Sequence, residues 1–139
     1  MNENALCPGL GDYLIAQARN NHWSNHRLHS ACLRLPASEY YANRPSFFGS
    51  IHIHLDHIVF VDWLYLERLT GEQYLPADVG DELHNELAPL VEDQVTADRA
   101  LIEYCDAATP EILASEVSFK LLDGTQYTEA VWTVLAHLF

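Results

Sequence analysis

Between Ser50 and Leu69 the sequence places apolar side chains on nearly every face of a helix. Ile51, Leu55, Ile58, Asp62, Leu66 and Leu69 form one stripe at spacings of three and four. Val59, Phe60, Val61, Trp63 and Leu64 fill most of the remaining surface. A helix that is apolar all round is stable only when other elements surround it. This segment therefore predicts the most buried element of the fold and demands further helices to cover it. Ser46 or Ser50 can cap its start. Gly71 follows its last periodic residue, where a left-handed helix end favours glycine.

The rest of the chain supplies those helices. One runs from Gly11 to Leu35 along Leu14, Ala18, Asn21, Asn25, Leu28, Cys32 and Leu35, and Pro36 ends it. Another covers Asp81 to Cys105 along Leu83, Leu87, Leu90, Gln94, Ala97, Leu101 and Tyr104. Pro89 either kinks this helix or occupies the first turn of a longer one that follows a short one. Thr109-Pro110-Glu111 reads as a cap with proline at the first helical position. Val117, Phe119 and Leu121 then alternate, Asp123-Gly124 follows, and Gln126 to Thr128 resume, which predicts a β-hairpin. A two-stranded ribbon is marginal alone and must pack on the helices. A last helix starts near Thr128 or Glu129 and carries Val131, Trp132, Leu135, Ala136 and Phe139. The pattern predicts an all-α, up-and-down four-helix bundle with a short hairpin near residues 116–128, in one domain over residues 1–139. The last helix, at about 16 Å, is half the length of its partners. The expectation is a truncated chain, or a second subunit filling the uncovered groove.

Charge narrows the partners. With 20 Asp and Glu against 7 Lys and Arg, and those cations scattered, the chain would repel a phosphate backbone. Nucleic-acid binding is not expected. No stretch approaches the roughly 20 apolar residues of a membrane span. Met1-Asn2-Glu3-Asn4 lacks the basic and apolar regions of a secretory signal. The expected location is the cytoplasm, with no membrane partner. Cys7, Cys32 and Cys105 are odd in number and widely spaced, which argues against a disulfide framework or a zinc ribbon. Cys32 and Cys105 fall on apolar stripes and read as core residues. Cys7 precedes Pro8 in a tail expected to be exposed, with nothing nearby to activate it.

The eight histidines are the main source of chemistry. Imidazole suits transition metals, and spacings of three or four put two side chains on one helix face. His22, His26 and His29 have that spacing, but the inner stripe passes through Asn21 and Asn25, so all three are expected to face outward or flank the seam. His54 and His57 lie on the apolar helix, where a ring nitrogen needs a hydrogen bond or a metal. Asn21, Asn25, Asp56, His57 and Asp62 are expected to converge on one core, and bundles build ligand sites from such facing positions. A metal held by His54 and His57, with Asp56 or a second copy, is disfavoured because residues 54, 56 and 57 do not share one face. The carboxylates at Asp12, Glu67, Glu72, Asp81, Glu82, Glu86, Glu92 and Asp93 read as solvated helix faces. The chain has no Gly-rich phosphate loop, Gly-x-Ser-x-Gly elbow or His-Glu-x-x-His motif, and no Glu-x-x-His of a di-iron bundle.

Three segments carry a resemblance. Phe47 to Gly71, read as FFGSIHIHLDHIVFVDWLYLERLTG, is similar to FGSIHxTLNHLLxADxxWLxRLxG of the DinB (DNA-damage-inducible) family. Asn21-His22-Trp23-Ser24-Asn25-His26-Arg27-Leu28 resembles that family's NxWANxRL. Leu135-Ala136-His137-Leu138-Phe139 resembles the start of LxHLFNHQTHHRGQ. The resemblance implies a four-helix bundle, often a homodimer, with a divalent metal (zinc, nickel or iron) on three histidines. His57 matches the ligand on the second helix. The two ligands of NHQTHH have no counterpart here, and His137 matches a histidine one turn before the first of them. Asp56 stands where the family has asparagine, and His54 where it has a small polar residue. Related branches are thiol-dependent transferases or isomerases that use the metal to activate a low-molecular-weight thiol. The expectation is a metal ligand at His57, a pocket lined by Asn21, Asn25, His54 and Asp62, and a metal absent or weakly bound. The chain itself is expected not to be catalytic. A metal-dependent hydrolase or thiol-dependent transferase is the alternative for a full-length form.

Overall fold

The computed structural model, which describes residues 9–78, 80–121 and 123–139, is mostly helical. Its elements are α1 (Leu10–Cys32), α2 (Ala37–Tyr40), α3 (Ile51–Thr70), α4 (Leu87–Ala107) and α5 (Pro110–Ala114), then β1 (Glu116–Lys120), β2 (Gln126–Ala130) and α6 (Val131–Leu138). No helix among the described residues is long and apolar enough to cross a membrane.

Local signals set most boundaries. The Ser50 hydroxyl accepts from the Ile53 amide at 3.2 Å and caps α3. Gly71 closes α3 at φ 75, a left-handed conformation that costs a side-chain-bearing residue. Thr109 caps α5, with Pro110 in its first turn. Strands β1 and β2 pair antiparallel, Glu116 opposite Ala130 and Lys120 opposite Gln126. The hairpin packs on α3, where the Arg68 guanidinium lies 4.8 Å from the Tyr65 ring centroid and 4.6 Å from that of Phe119.

The long helices divide the core into two apolar clusters. One joins Leu14 and Ala18 of α1 to Leu69, Cys105, Val131, Val134 and Leu135. The other joins Cys32, Tyr40, Leu55, Val59, Leu90 and Ala97. The start of α3 thus meets the start of α4, and the end of α3 meets the end of α4. These two helices run in the same direction, and α1 runs opposite to both. The helical elements and hairpin match the sequence reading, but the directions do not alternate as in a simple up-and-down bundle. Short connections impose antiparallel neighbours. Residues 71–86 are long enough to cross back along α3 and relax that constraint.

Three further expectations are corrected. The helix read from Asp81 begins at Leu87, because the Asp56 carboxylate accepts the Leu83 amide at 2.7 Å and the His84 amide at 2.8 Å. Those amides are held outside any helical ladder, and Pro89 sits in the first turn of α4. The buried face of α3 is rotated from the apolar stripe and includes His52, Asp56 and Val59, with Ile51 and Ile58 only half-buried. The last helix starts at Val131 because β2 continues through Ala130.

Candidate functional site

A buried polar layer lies between the two apolar clusters. The Asn25 amide donates to Asp98 Oδ1 at 2.9 Å. Gln94 Nε2 donates to Asp62 Oδ2 at 2.6 Å and to Asp98 Oδ1 at 3.0 Å. His22 Nδ1 lies 3.1 Å from Asp98 Oδ2. Asn21, Asn25 and Asp62 meet here, but Asp56 and His57, expected to converge with them, do not. Gln94 appeared in that pattern only as a stripe residue, and Asp98 did not appear at all. Its signal was one helical turn after Gln94, on the same face. Burial pushes the Asp62 carboxyl up to about 6. The hydrogen bond from Gln94 opposes that rise, the Asp98 charge adds to it, and a bond from Asn21 opposes it again. Gln94 is fully buried, and its Oε1 has no partner among the described residues.

His57 is not part of this layer. Its ring is exposed and stands between two phenylalanines, 4.4 Å from Phe48 and 6.4 Å from Phe60 between centroids. These rings line an open cleft with a cavity volume of 590 Å³. Residues of α3 (Ile53, Asp56, His57, Phe60, Glu67) form one wall, and the crossover from Gln73 to Leu83 supplies the other. Asn21, Asn25, His54 and Asp62 do not line it. His54 packs edge-on against Phe48, and its Nδ1 lies 2.6 Å from the Ser50 carbonyl oxygen.

The crossover wall is pinned by groups on α3 and α4. Asp56 holds the Leu83 and His84 amides, and its Oδ1 also lies 3.2 Å from His84 Nδ1. His84 Nε2 is 3.1 Å from Asp93 Oδ2, while the Trp63 indole donates to Asp93 Oδ1 at 3.0 Å. Trp63 stacks on Tyr74 of the crossover. Glu67 Oε1 accepts the Tyr74 amide at 2.8 Å and the Leu75 amide at 2.6 Å. Buried His52 donates from Nε2 to the His84 carbonyl at 2.8 Å, which leaves Nδ1 to accept from the Tyr40 hydroxyl at 2.9 Å. Asp56 and Glu67 thus satisfy backbone amides that a non-helical segment leaves free, while Asp93 holds the Trp63 and His84 side chains.

Several side chains thus stand elsewhere than expected. His29 is buried at 3% exposure, not outward. Burial lowers its basicity, the Asp98 charge works against that, and His26 adds to the lowering. His22 is bonded into the layer, and only His26 of the three is exposed. Glu67 and Asp93 are half-buried anchors, not solvated charges. Cys32 and Cys105 are buried free thiols, as expected, and burial pushes Cys105 up to about 11. Cys7 lies outside the described residues.

The donor set around His57 does not fit a catalytic metal, which takes three protein ligands and an open position. Phenylalanine rings flank the imidazole, Asp56 is committed to the crossover amides, and His54 Nδ1 faces the Ser50 carbonyl. Among the described residues no group of three or more His, Cys, Asp or Glu side chains could hold an ion.

No curated protein matches this chain. The bundle, its hairpin and the helix carrying His57 agree with one family model: described as the DinB family, it matches residues 1–139, and the chain belongs to that family.

Proposed function

We propose that this DinB protein binds a small organic molecule in the His57 cleft and, as this chain alone, does not catalyse a reaction there. The observation that carries the reading is the cleft itself. Its 590 Å³ lies in the range that takes a metabolite-sized ligand. Its lining is largely apolar and aromatic, and hydrogen bonds donated by crossover amides to Asp56 and Glu67 fix that wall. A ligand would meet a preformed surface, so little ordering would oppose binding. Ligand-observed NMR with a panel of small amphipathic molecules tests this, with His57→Ala and Phe60→Leu as site controls. Binding weakened by both substitutions supports the reading. Binding indifferent to both, or no binding at all, overturns it.

A second reading is favoured by one specific observation: among the described residues, the His57 ring nitrogens make no hydrogen bond. An exposed, uncommitted imidazole could be the first ligand of a divalent metal completed by groups supplied from elsewhere, as in a metal-dependent hydrolase or thiol-dependent transferase. Metal analysis after loading with zinc, nickel or iron tests it. A stoichiometric ion that His57→Ala abolishes would displace the non-catalytic reading.

The same proposal takes the protein to work in the cytoplasm as a homodimer. Two buried free thiols support the location, and the exposed apolar residues Leu10, Tyr13 and Leu28, on one side of α1, support the dimer. Sedimentation at micromolar concentration checks the oligomeric state, and a compact monomer would remove the dimer.

A further inference from the structure

The lining of the His57 cleft also carries the chemical class of its ligand. None of the chain's Lys or Arg residues lines it, while Asp56, Glu67 and Asp81 do. Two of these have charge to offer. Asp81 is exposed and makes no hydrogen bond among the described residues. Glu67 satisfies the Tyr74 and Leu75 amides with Oε1 alone, and its Oε2 makes no hydrogen bond among the described residues. Asp56 has both oxygens engaged by the crossover. The chain carries a formal net charge of −13, so the field around the cleft adds to the local sign.

An anion such as a phosphate ester would enter against both fields and find no cationic partner. A neutral apolar molecule would leave the carboxylates unused. Phe48 and Phe60 line the cleft on either side of His57 and offer aromatic surface to an apolar body. Ile53, Leu75, Pro76 and Leu83 add aliphatic surface for a hydrocarbon body.

We infer that the cleft takes an organic cation with an apolar body, an arylalkyl- or alkylammonium compound. Its body rests against Phe48, His57 and Phe60, and its charge lies among the carboxylates of Asp81 and Glu67. This inference rests on the cleft being a ligand site.

Three isosteric probes separate the two ideas: phenethylamine, phenethyl alcohol and phenylacetate, titrated into the full chain and followed at the His57 ring protons by NMR. The amine should bind about tenfold more tightly than the alcohol, from contacts with two carboxylates worth about threefold each. Phenylacetate should bind more weakly than either. Asp81→Asn and Glu67→Gln should each weaken the amine about threefold and leave the alcohol unchanged. Glu67→Gln keeps an oxygen for the Tyr74 and Leu75 amides, so the wall survives. Equal binding of amine and alcohol, or unchanged amine binding in both variants, overturns the cation while sparing the cleft. No perturbation of His57 by any probe overturns the cleft and the cation with it.

Discussion

The polar layer around Asp98, which α3 enters through Asp62, and the cleft beside His57, five positions earlier on that helix, use polar groups in opposite ways. In the layer, Asn25, Gln94 and His22 turn their polar atoms inward on one carboxylate. In the cleft, the carboxylates of Asp56 and Glu67 fasten a neighbouring backbone segment, and His57 is left facing out between two rings. The first arrangement spends its hydrogen-bonding capacity on joining helices. The second holds a wall in place and leaves chemistry exposed. A single sequence pattern, polar residues on an apolar helix, therefore covers two physical roles, and burial tells them apart.

Substitutions should separate the two regions by size of effect. Asp98→Ala should be the most damaging, at about 3 kcal/mol, because it strands the buried Asn25 and Gln94 donors. Urea unfolding measures this, and a loss below 1 kcal/mol would deny the layer its structural role.

Asp62→Asn should act in the other direction. The folded state holds this carboxyl at about 6, above its ordinary 3.8. Ionisation therefore opposes folding. The penalty is absent below about 4, develops as pH rises towards 6 and is complete above it. The asparagine variant should gain about 3 kcal/mol at pH 7 and little at pH 4, read from melting curves at both pH values. A gain independent of pH would mean that the carboxyl does not titrate as described.

His57→Ala should change stability least, within about 0.5 kcal/mol, since the ring is exposed and makes no hydrogen bond among the described residues. Its effect belongs to ligand binding. A large loss of stability would mean that the Phe48–His57–Phe60 row is part of the core and not the face of a cleft.

Much of the fold was legible in local signals. Gly71, Thr109 and Pro110 act within a few residues of where they stand, so sequence position placed them, and it narrowed the α3 cap to Ser46 or Ser50. The convergence of Asn21, Asn25 and Asp62 was legible because all three fall on helical stripes. The start of α4 was not. Leu83 and Leu87 fit a helix, and the capture of the Leu83 and His84 amides by Asp56 depends on a residue 27 positions away. Asp93 and Glu67 looked solvated for the same reason: their partners lie on other elements.

By itself, then, the sequence determined the helical class, the hairpin, the caps and the membership of the three long helices, because these follow from short-range periodicity and backbone chemistry. Only the tertiary structure decided that α3 and α4 run in the same direction, since the long crossover permits either arrangement. It also decided which polar residues are sealed in and which are offered to solvent. Asp62 and His57 sit five positions apart on one helix. Their difference comes from what packs over each: α4 with Gln94 over the first, and an open cleft beside the second.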